Sequence, residues 1–256
     1  DIMLSMLKQD LDKLVEKFEI KEFITHDPIQ FPHRFERIED IEISAFVSSL
    51  FAYGNREVFV KKLEQLFDKM DNAPLDYVLK SNFENLETFN YRFAKDVDIV
   101  EVLKILGMLY KTDGGLQALF SYGMKTGKDM YSMFEVVCDY FYSRVENKVG
   151  QGFYHLIANP KNNGTMKRMN MFMRWMIRDG NVDLGVWDFV SKSQLLIPLD
   201  VHVARISRKL GLLERKSNDK KAVYELTNNL KKLDCDDPVK YDFAMFGKGI
   251  DDRNKF

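Results

Sequence analysis

Apolar residues recur along this chain at spacings of three and four, and no run alternates convincingly at period two. Leu4, Leu7, Leu11, Leu14 and Phe18 make one stripe of a lysine- and glutamate-rich amphipathic helix predicted over residues 2–24. Pro28 and Pro32 keep residues 26–33 out of any continuous helix. A nearly all-apolar helix is predicted over 41–53, capped by Asp40 and buried on most sides. Gly54 and Asn55 break it, and the next helix carries Phe59, Leu63, Leu66, Phe67 and Met70. Residues 75–95 read as short helices and loops. A strong helix over 97–110 stops at Thr112-Asp113-Gly114-Gly115.

Helices near 116–123, 129–148, 153–158 and 166–177 come next, the last ended by Asp179-Gly180-Asn181. An apolar run then brings the chain to Pro198. A single carboxylate, Asp200, stands where the next helix begins. That helix is expected to bury Val203, Ile206, Leu210 and Leu213, with Arg205, Arg208 and Lys209 on its other face. Ser217 or Asn218 should cap a helix bearing Val223, Leu226, Leu230 and Leu233. Asp237 before Pro238 marks a final helix start, with Val239, Phe243, Phe246 and Ile250 facing inward. No repeat or low-complexity stretch is visible, and the fold expected is all-α.

Composition narrows the function classes. The chain has 256 residues, 45% of them hydrophobic and 30% charged, the balance of a folded protein. Its net charge of −1 argues mildly against a nucleic-acid binder, so such affinity would need a local basic patch. Cys138 and Cys235 are the only cysteines, which excludes a four-cysteine zinc or iron–sulfur site within one chain. They read as reduced thiols of a cytoplasmic protein. No stretch approaches a membrane span, and no signal peptide is visible in a chain that begins at Asp1. His26 and His33 straddle Asp27 in the proline-broken loop and read as loop residues; no metal and no cofactor are expected.

The local basic patch is found over 153–178, which reads helix, tight turn, helix. Pro160, two asparagines and Gly164 shape the turn, and the backbone N–H groups opening the second helix suit a phosphate oxygen. Lys161, Lys167 and Arg168 surround it. Arg174 and Arg178 lie further along the same helix and extend the cationic surface expected there.

A helix–hairpin–helix followed by a loop and Pro198-Leu199-Asp200-Val201-His202-Val203 opening a helix resembles the helix-hairpin-helix DNA glycosylase superfamily. Endonuclease III, the adenine glycosylases and the 8-oxoguanine glycosylases are members. The resemblance implies one all-helical unit over 1–256 built as two lobes, with the hairpin at 153–178 and the catalytic-aspartate element at 195–213. Asp200 matches the family's essential aspartate, and Lys167 matches the lysine of its bifunctional members. Their separation of 33 residues is closest to the archaeal-type 8-oxoguanine branch. The hairpin lacks the Gly-Val-Gly core of well-known members, offering Asn162-Asn163-Gly164-Thr165. Lys167 comes three residues after Gly164 where the family's lysine comes two after its glycine, and a slip of one puts Met166 there. Ala52-Tyr53-Gly54-Asn55-Arg56 and the stretches at 167–175 and 237–244 also resemble a bacterial family of uncharacterised proteins placed near this superfamily.

The resemblance implies a concrete chemistry. A monomer would bind double-stranded DNA carrying a damaged base, an 8-oxoguanine-like purine, and flip that nucleotide into a cleft. Lys167 would attack C1′ as a neutral amine while the Asp200 carboxylate stabilises oxocarbenium-like charge; a Schiff base would then allow strand cleavage by β-elimination. Lys161, Asn163, Gly164, Thr165 and Arg168 would hold the DNA backbone, and Trp175, Trp187 and His202 are candidates for the base pocket. Plainer roles stay open for each group. Asp200 serves equally as a simple helix cap, Lys167 as a solvated surface lysine, His202 as a structural hydrogen-bond partner and the tryptophans as core. Two other functions remain beside the enzyme: a non-catalytic helix-hairpin-helix protein that binds nucleic acid, and a helical scaffold for another protein.

Overall fold

The computed structural model describes the backbone of residues 2–253 and side chains through Ile250. Among the described residues the chain is all-α: thirteen α-helices, six short 3-10 segments and two isolated β-bridges, with no strand. The chain divides into two compact units, one of Asp1–His26 with Asn163–Phe256 and the other of Asp27–Asn162. No described helix is long and apolar enough to cross a membrane.

The first unit opens with α1 (Ile2–Phe18) and α2 (Lys21–Ile24). The single helix expected over 2–24 is therefore broken after Phe18. Leu11 and Val15 are its buried positions, while Leu4, Leu7, Leu14 and Phe18 are only half-buried.

The second unit runs through α3 (Ile38–Phe51), α4 (Arg56–Lys69), α5 (Pro74–Lys80), α6 (Asp96–Thr112), α7 (Gly115–Thr126), α8 (Met130–Tyr142) and α9 (Gln151–Leu156). Every residue of α3 from Ile41 to Phe51 is buried, as its apolar pattern requires. Ser44 and Ser49 survive there because their hydroxyls donate to the carbonyls of Ile41 and Phe46, at 3.1 and 2.7 Å. Asp40 does not cap α3, which begins two residues earlier. Its carboxylate instead accepts the Leu75 N–H at 2.8 Å, in the first turn of α5. A Cβ on Gly107 of α6 would stand 2.2 Å from the Val78 carbonyl oxygen, so only glycine permits α5 to pack this closely.

Helix α8 ends at Tyr142, short of the 148 expected. Two buried acids on α6 explain why. Glu101 accepts the backbone N–H of Glu146 at 2.6 Å and the side-chain amide of Asn147 at 2.5 Å, and Asp98 accepts the backbone N–H of Gly150 at 2.6 Å. Those N–H groups are thereby drawn away from helical bonding.

The first unit resumes with α10 (Lys167–Ile177), α11 (Val201–Lys209), α12 (Lys220–Lys231) and α13 (Tyr241–Arg253). α11 stops earlier than the apolar pattern suggests. Gly211, at φ +70°, reverses the chain, and the Leu212 N–H donates to the Ser207 carbonyl at 2.9 Å. Leu212 and Leu213 are buried from this turn and not along the helix. The cap of α12 is Asp219, which accepts the Ala222 N–H at 3.0 Å, and not Ser217 or Asn218. Hydrogen bonding from Arg215 holds the Asp219 carboxyl down at about 2. Helix α13 packs along α1, with Phe18 edge-on to Phe246 at 5.9 Å between ring centroids.

Candidate functional site

Asp200 is held by the way α11 begins. The apolar run before it is buried from Leu195 to Leu199, and the Ile197 N–H is tied to the Thr227 hydroxyl at 3.1 Å. Asp200 itself is extended and half-buried. One carboxylate oxygen accepts the N–H groups of His202 and Val203, both at 2.9 Å. It is therefore the N-cap of α11, where exposed N–H groups favour a negative charge. His202 is exposed on the first turn.

Lys167 is the first residue of α10. Met166 precedes it in the left-handed region at φ +49°, its side chain buried, and supplies no side-chain cap to the helix. The turn is braced from two sides. The Asn170 side-chain amide donates to the Thr165 carbonyl at 3.0 Å, and the Lys220 N–H donates to the Asn163 carbonyl at 2.8 Å. Asn163, at φ +57°, and Gly164 are exposed; Thr165, Lys167 and Arg168 are half-buried. The segment 153–178 is split between the units, so α9 and Lys161 belong to the second and α10 to the first. Lys161 faces Asp139 at 3.6 Å, both side chains well exposed.

Lys167 and Asp200 meet electrostatically at a third residue, Asp242 of α13. Burial pushes the Asp242 carboxyl up to about 6; Arg174 and Lys167 pull against that rise, and Asp200 and Asp183 add to it. Its side chain is 16% exposed and is ion-paired with Arg174. The charges of Lys167 and Asp200 thus both act on Asp242 within the first unit.

Arg174 and Arg178 are not a surface. Their side chains are 5% and 4% exposed, and α10 turns them inward onto carboxylates. Arg174 binds Asp183 through Nε at 3.1 Å and Asp242 through Nη1. Arg178 binds Asp237 at 2.9 and 3.0 Å, Glu19 at 2.5 and 3.0 Å, and Asp183 at 2.9 Å. Burial alone would lower the Arg178 pKa; hydrogen bonds to Glu19 and Asp237 and the charge of Asp183 raise it instead. Asp237, expected as a helix cap, is thereby occupied with Arg178, and a 3-10 turn, Pro238–Lys240, separates it from α13. The cationic surface expected at 153–178 shrinks to Lys161, Lys167 and Arg168.

Trp175 and Trp187 are both core residues, 0% and 2% exposed. Trp187 stands edge-on to Phe172 at 5.3 Å, and the Trp175 indole N–H is buried without a partner. Neither ring faces solvent.

A family model described as "protein of unknown function (DUF2400)" matches residues 27–251. The chain belongs to that family. No curated protein and no solved structure matches it. The match includes α10, the capping Asp200 and Asp242, and begins after Glu19, which is thus the one Arg178 partner outside it.

Two features of this DUF2400 protein were beyond sequence reasoning. Asp183 lies in a loop and Asp242 on a helix whose apolar pattern is all that stands out, so nothing marked either as an arginine partner. The signal in the chain was weak: Arg174 in the apolar second half of α10 and Arg178 at its C-cap are four residues apart, which places both guanidinium groups on one face, and a buried face needs acids opposite.

Proposed function

We propose that this DUF2400 protein is a DNA base-excision glycosylase with AP-lyase capacity, acting on a flipped 8-oxoguanine-like purine in double-stranded DNA. In this reading the two compact units are the lobes of a glycosylase fold, and the turn at 159–165 with the start of α10 is its DNA-gripping hairpin. What supports it is that the charges of Lys167 and Asp200 both act on Asp242 within the first unit, since the chemistry needs an amine and a carboxylate. The amine attacks C1′, the glycosidic C–N bond breaks, and the departing base takes up a proton. The lysine nitrogen gives up protons to a carboxylate or water, the C1′–O4′ bond opens with a proton passing to O4′ as the Schiff base forms, and loss of a C2′ proton then drives the β-elimination that breaks C3′–O and expels the 3′ phosphate. Asp200, at the head of α11, stabilises the positive charge at C1′.

The uncapped first turn of α10 and its braced entry suit a backbone phosphate, with Asn163, Gly164, Thr165 and Arg168 around it. A monomer suffices, and a cytoplasmic setting agrees with the two thiols.

The test is Asp200→Asn. Excision from duplexes carrying 8-oxoguanine should be abolished while duplex affinity stays within about twofold, because asparagine keeps the helix cap. Excision that survives this change removes Asp200 from the mechanism.

A second reading is a hairpin protein that binds nucleic acid without turnover. It is favoured by Met166, which occupies the position where a one-residue shorter spacing would put the nucleophile. It predicts salt-dependent binding and no base release.

A further inference from the structure

The second unit carries a groove of about 410 Å³ between α4 and the turn at 91–94. Lys61, Lys62 and Arg92 contribute to its walls, Tyr91 to its floor, and no carboxylate lines it. Among the described residues none of these three cations has an ion pair. Two of the acids nearby in sequence are engaged elsewhere: Glu64 binds Arg34 at 2.8 and 2.6 Å, and Asp96 accepts the N–H groups of Thr88 and Val97 at 2.9 and 2.8 Å. The Lys62 ammonium rests 4.2 Å over the Phe89 ring, and burial, then the like charge of Lys69, lowers its pKa. Positive charge is crowded here, and an anion would relieve it.

The turn makes the groove more than a scatter of lysines. Tyr91 and Ala94 exchange both backbone hydrogen bonds, at 2.8 and 2.9 Å, leaving Arg92 and Phe93 as its two-residue tip. Arg92 sits at φ +50°, a conformation a side-chain-bearing residue adopts at a cost of order 1 kcal/mol. Below the tip, Tyr53 and Tyr91 each donate a hydroxyl to the other's carbonyl. Above it, the Arg92 guanidinium lies 5.4 Å from the Phe93 centroid, and Phe93 is 58% exposed. A strained arginine and an exposed ring are thus fixed side by side on a rigid support.

The layout selects among anions. Lys61 and Lys62 are consecutive on a helix and so diverge by about 100°, while Arg92 comes from another segment. Donors for one isolated phosphate converge on a point; cations from two segments that diverge, beside an exposed aromatic ring, suit single-stranded nucleic acid instead.

We propose that this groove binds one strand of nucleic acid, with Lys61, Lys62 and Arg92 on its phosphates and the Phe93 ring against an unpaired base. The proposal rests on the nucleic-acid part of the function above and is independent of the chemistry assigned to Lys167 and Asp200.

The experiment is fluorescence anisotropy of the full chain with an undamaged single-stranded oligonucleotide, at about 50 and 200 mM salt. The variant Lys61→Gln/Lys62→Gln/Arg92→Gln should weaken binding at least tenfold at the lower salt. It should also flatten the log-affinity against log-salt slope by about 2, as three lost phosphate contacts on a single strand require. Phe93→Ala should cost about tenfold with the slope unchanged, because stacking is not ionic. Lys61→Gln/Lys62→Gln leaves the turn untouched and should keep a native circular dichroism spectrum with about two-thirds of the slope change. Native affinity and slope in the triple variant would overturn the proposal. So would saturable binding of inorganic phosphate through the same three cations with no strand binding. Groove-dependent binding without any base excision would sink the glycosylase function and leave the groove standing; excision with native binding in the groove variants would do the reverse.

Discussion

Asp200 and Asp242 lie in a single unit, and the negative charge of Asp200 adds to the rise that burial imposes on Asp242. Its carboxyl rises to about 6, chiefly through burial, while Asp200 spends its charge on two N–H groups at the head of α11. One acid is therefore committed to a helix cap, and the other has a carboxyl raised well above the ordinary carboxylate range.

This division has a measurable sign. Raised above the ordinary 3.8, the Asp242 carboxyl holds its proton more tightly folded than unfolded, so its contribution to stability falls as pH rises from about 4 to about 6 and is flat above. The difference in unfolding free energy between native protein and Asp242→Asn should therefore shrink over that window by about 1–3 kcal/mol. Urea unfolding of both proteins at a series of pH values reads it. A difference that grows with pH would contradict the assignment.

Asp200 has two roles that one pair of substitutions separates. Asparagine still accepts the His202 and Val203 N–H groups, so Asp200→Asn should change stability by less than about 0.5 kcal/mol, whereas Asp200→Ala loses the cap and about 1 kcal/mol. Thermal melts of the two variants test the structural role apart from any excision assay. Equal losses would mean that the cap geometry does not hold Asp200.

Asp183, its side chain fully buried, bridges Arg174 and Arg178. Asp183→Ala leaves two buried guanidinium groups short of a partner and should cost about 3–5 kcal/mol in chemical denaturation. The same substitution at exposed Asp179, which pairs with Lys192, should cost less than about 1 kcal/mol.

Much of this was legible in the chain. The period of three and four gave the helices, and the cap at Asp200 was readable from Pro198-Leu199-Asp200 before an amphipathic run. What periodicity could not convey was which side of α10 its arginines take. Arg174 and Arg178 look like an extension of Lys167 and Arg168, yet an inward turn matches them to Asp183 in the following loop and to Asp237, Asp242 and Glu19 from two distant stretches. Asp40, Ser217 and Asp237 failed as caps for the same reason. A short polar side chain near a helix start has several N–H groups or cations within reach, and tertiary packing chooses among them.

A close approach in the first unit gives one more test of the packing. A Cβ on Gly247 of α13 would fall 2.2 Å from the Phe18 ring of α1. Gly247→Ala should destabilise the protein by about 1–3 kcal/mol, and Phe18→Leu in the same chain should recover part of that loss. Additive losses in this double-mutant cycle would show that the two helices do not meet at that point.

The central claim is that the Lys167 amine performs chemistry on a nucleotide, and borohydride trapping on a duplex containing 8-oxoguanine tests it most directly. The native chain should leave a covalent protein–DNA adduct, and Lys167→Gln should leave none while still binding the duplex. No adduct from the native chain, or an undiminished one from Lys167→Gln, would contradict the account.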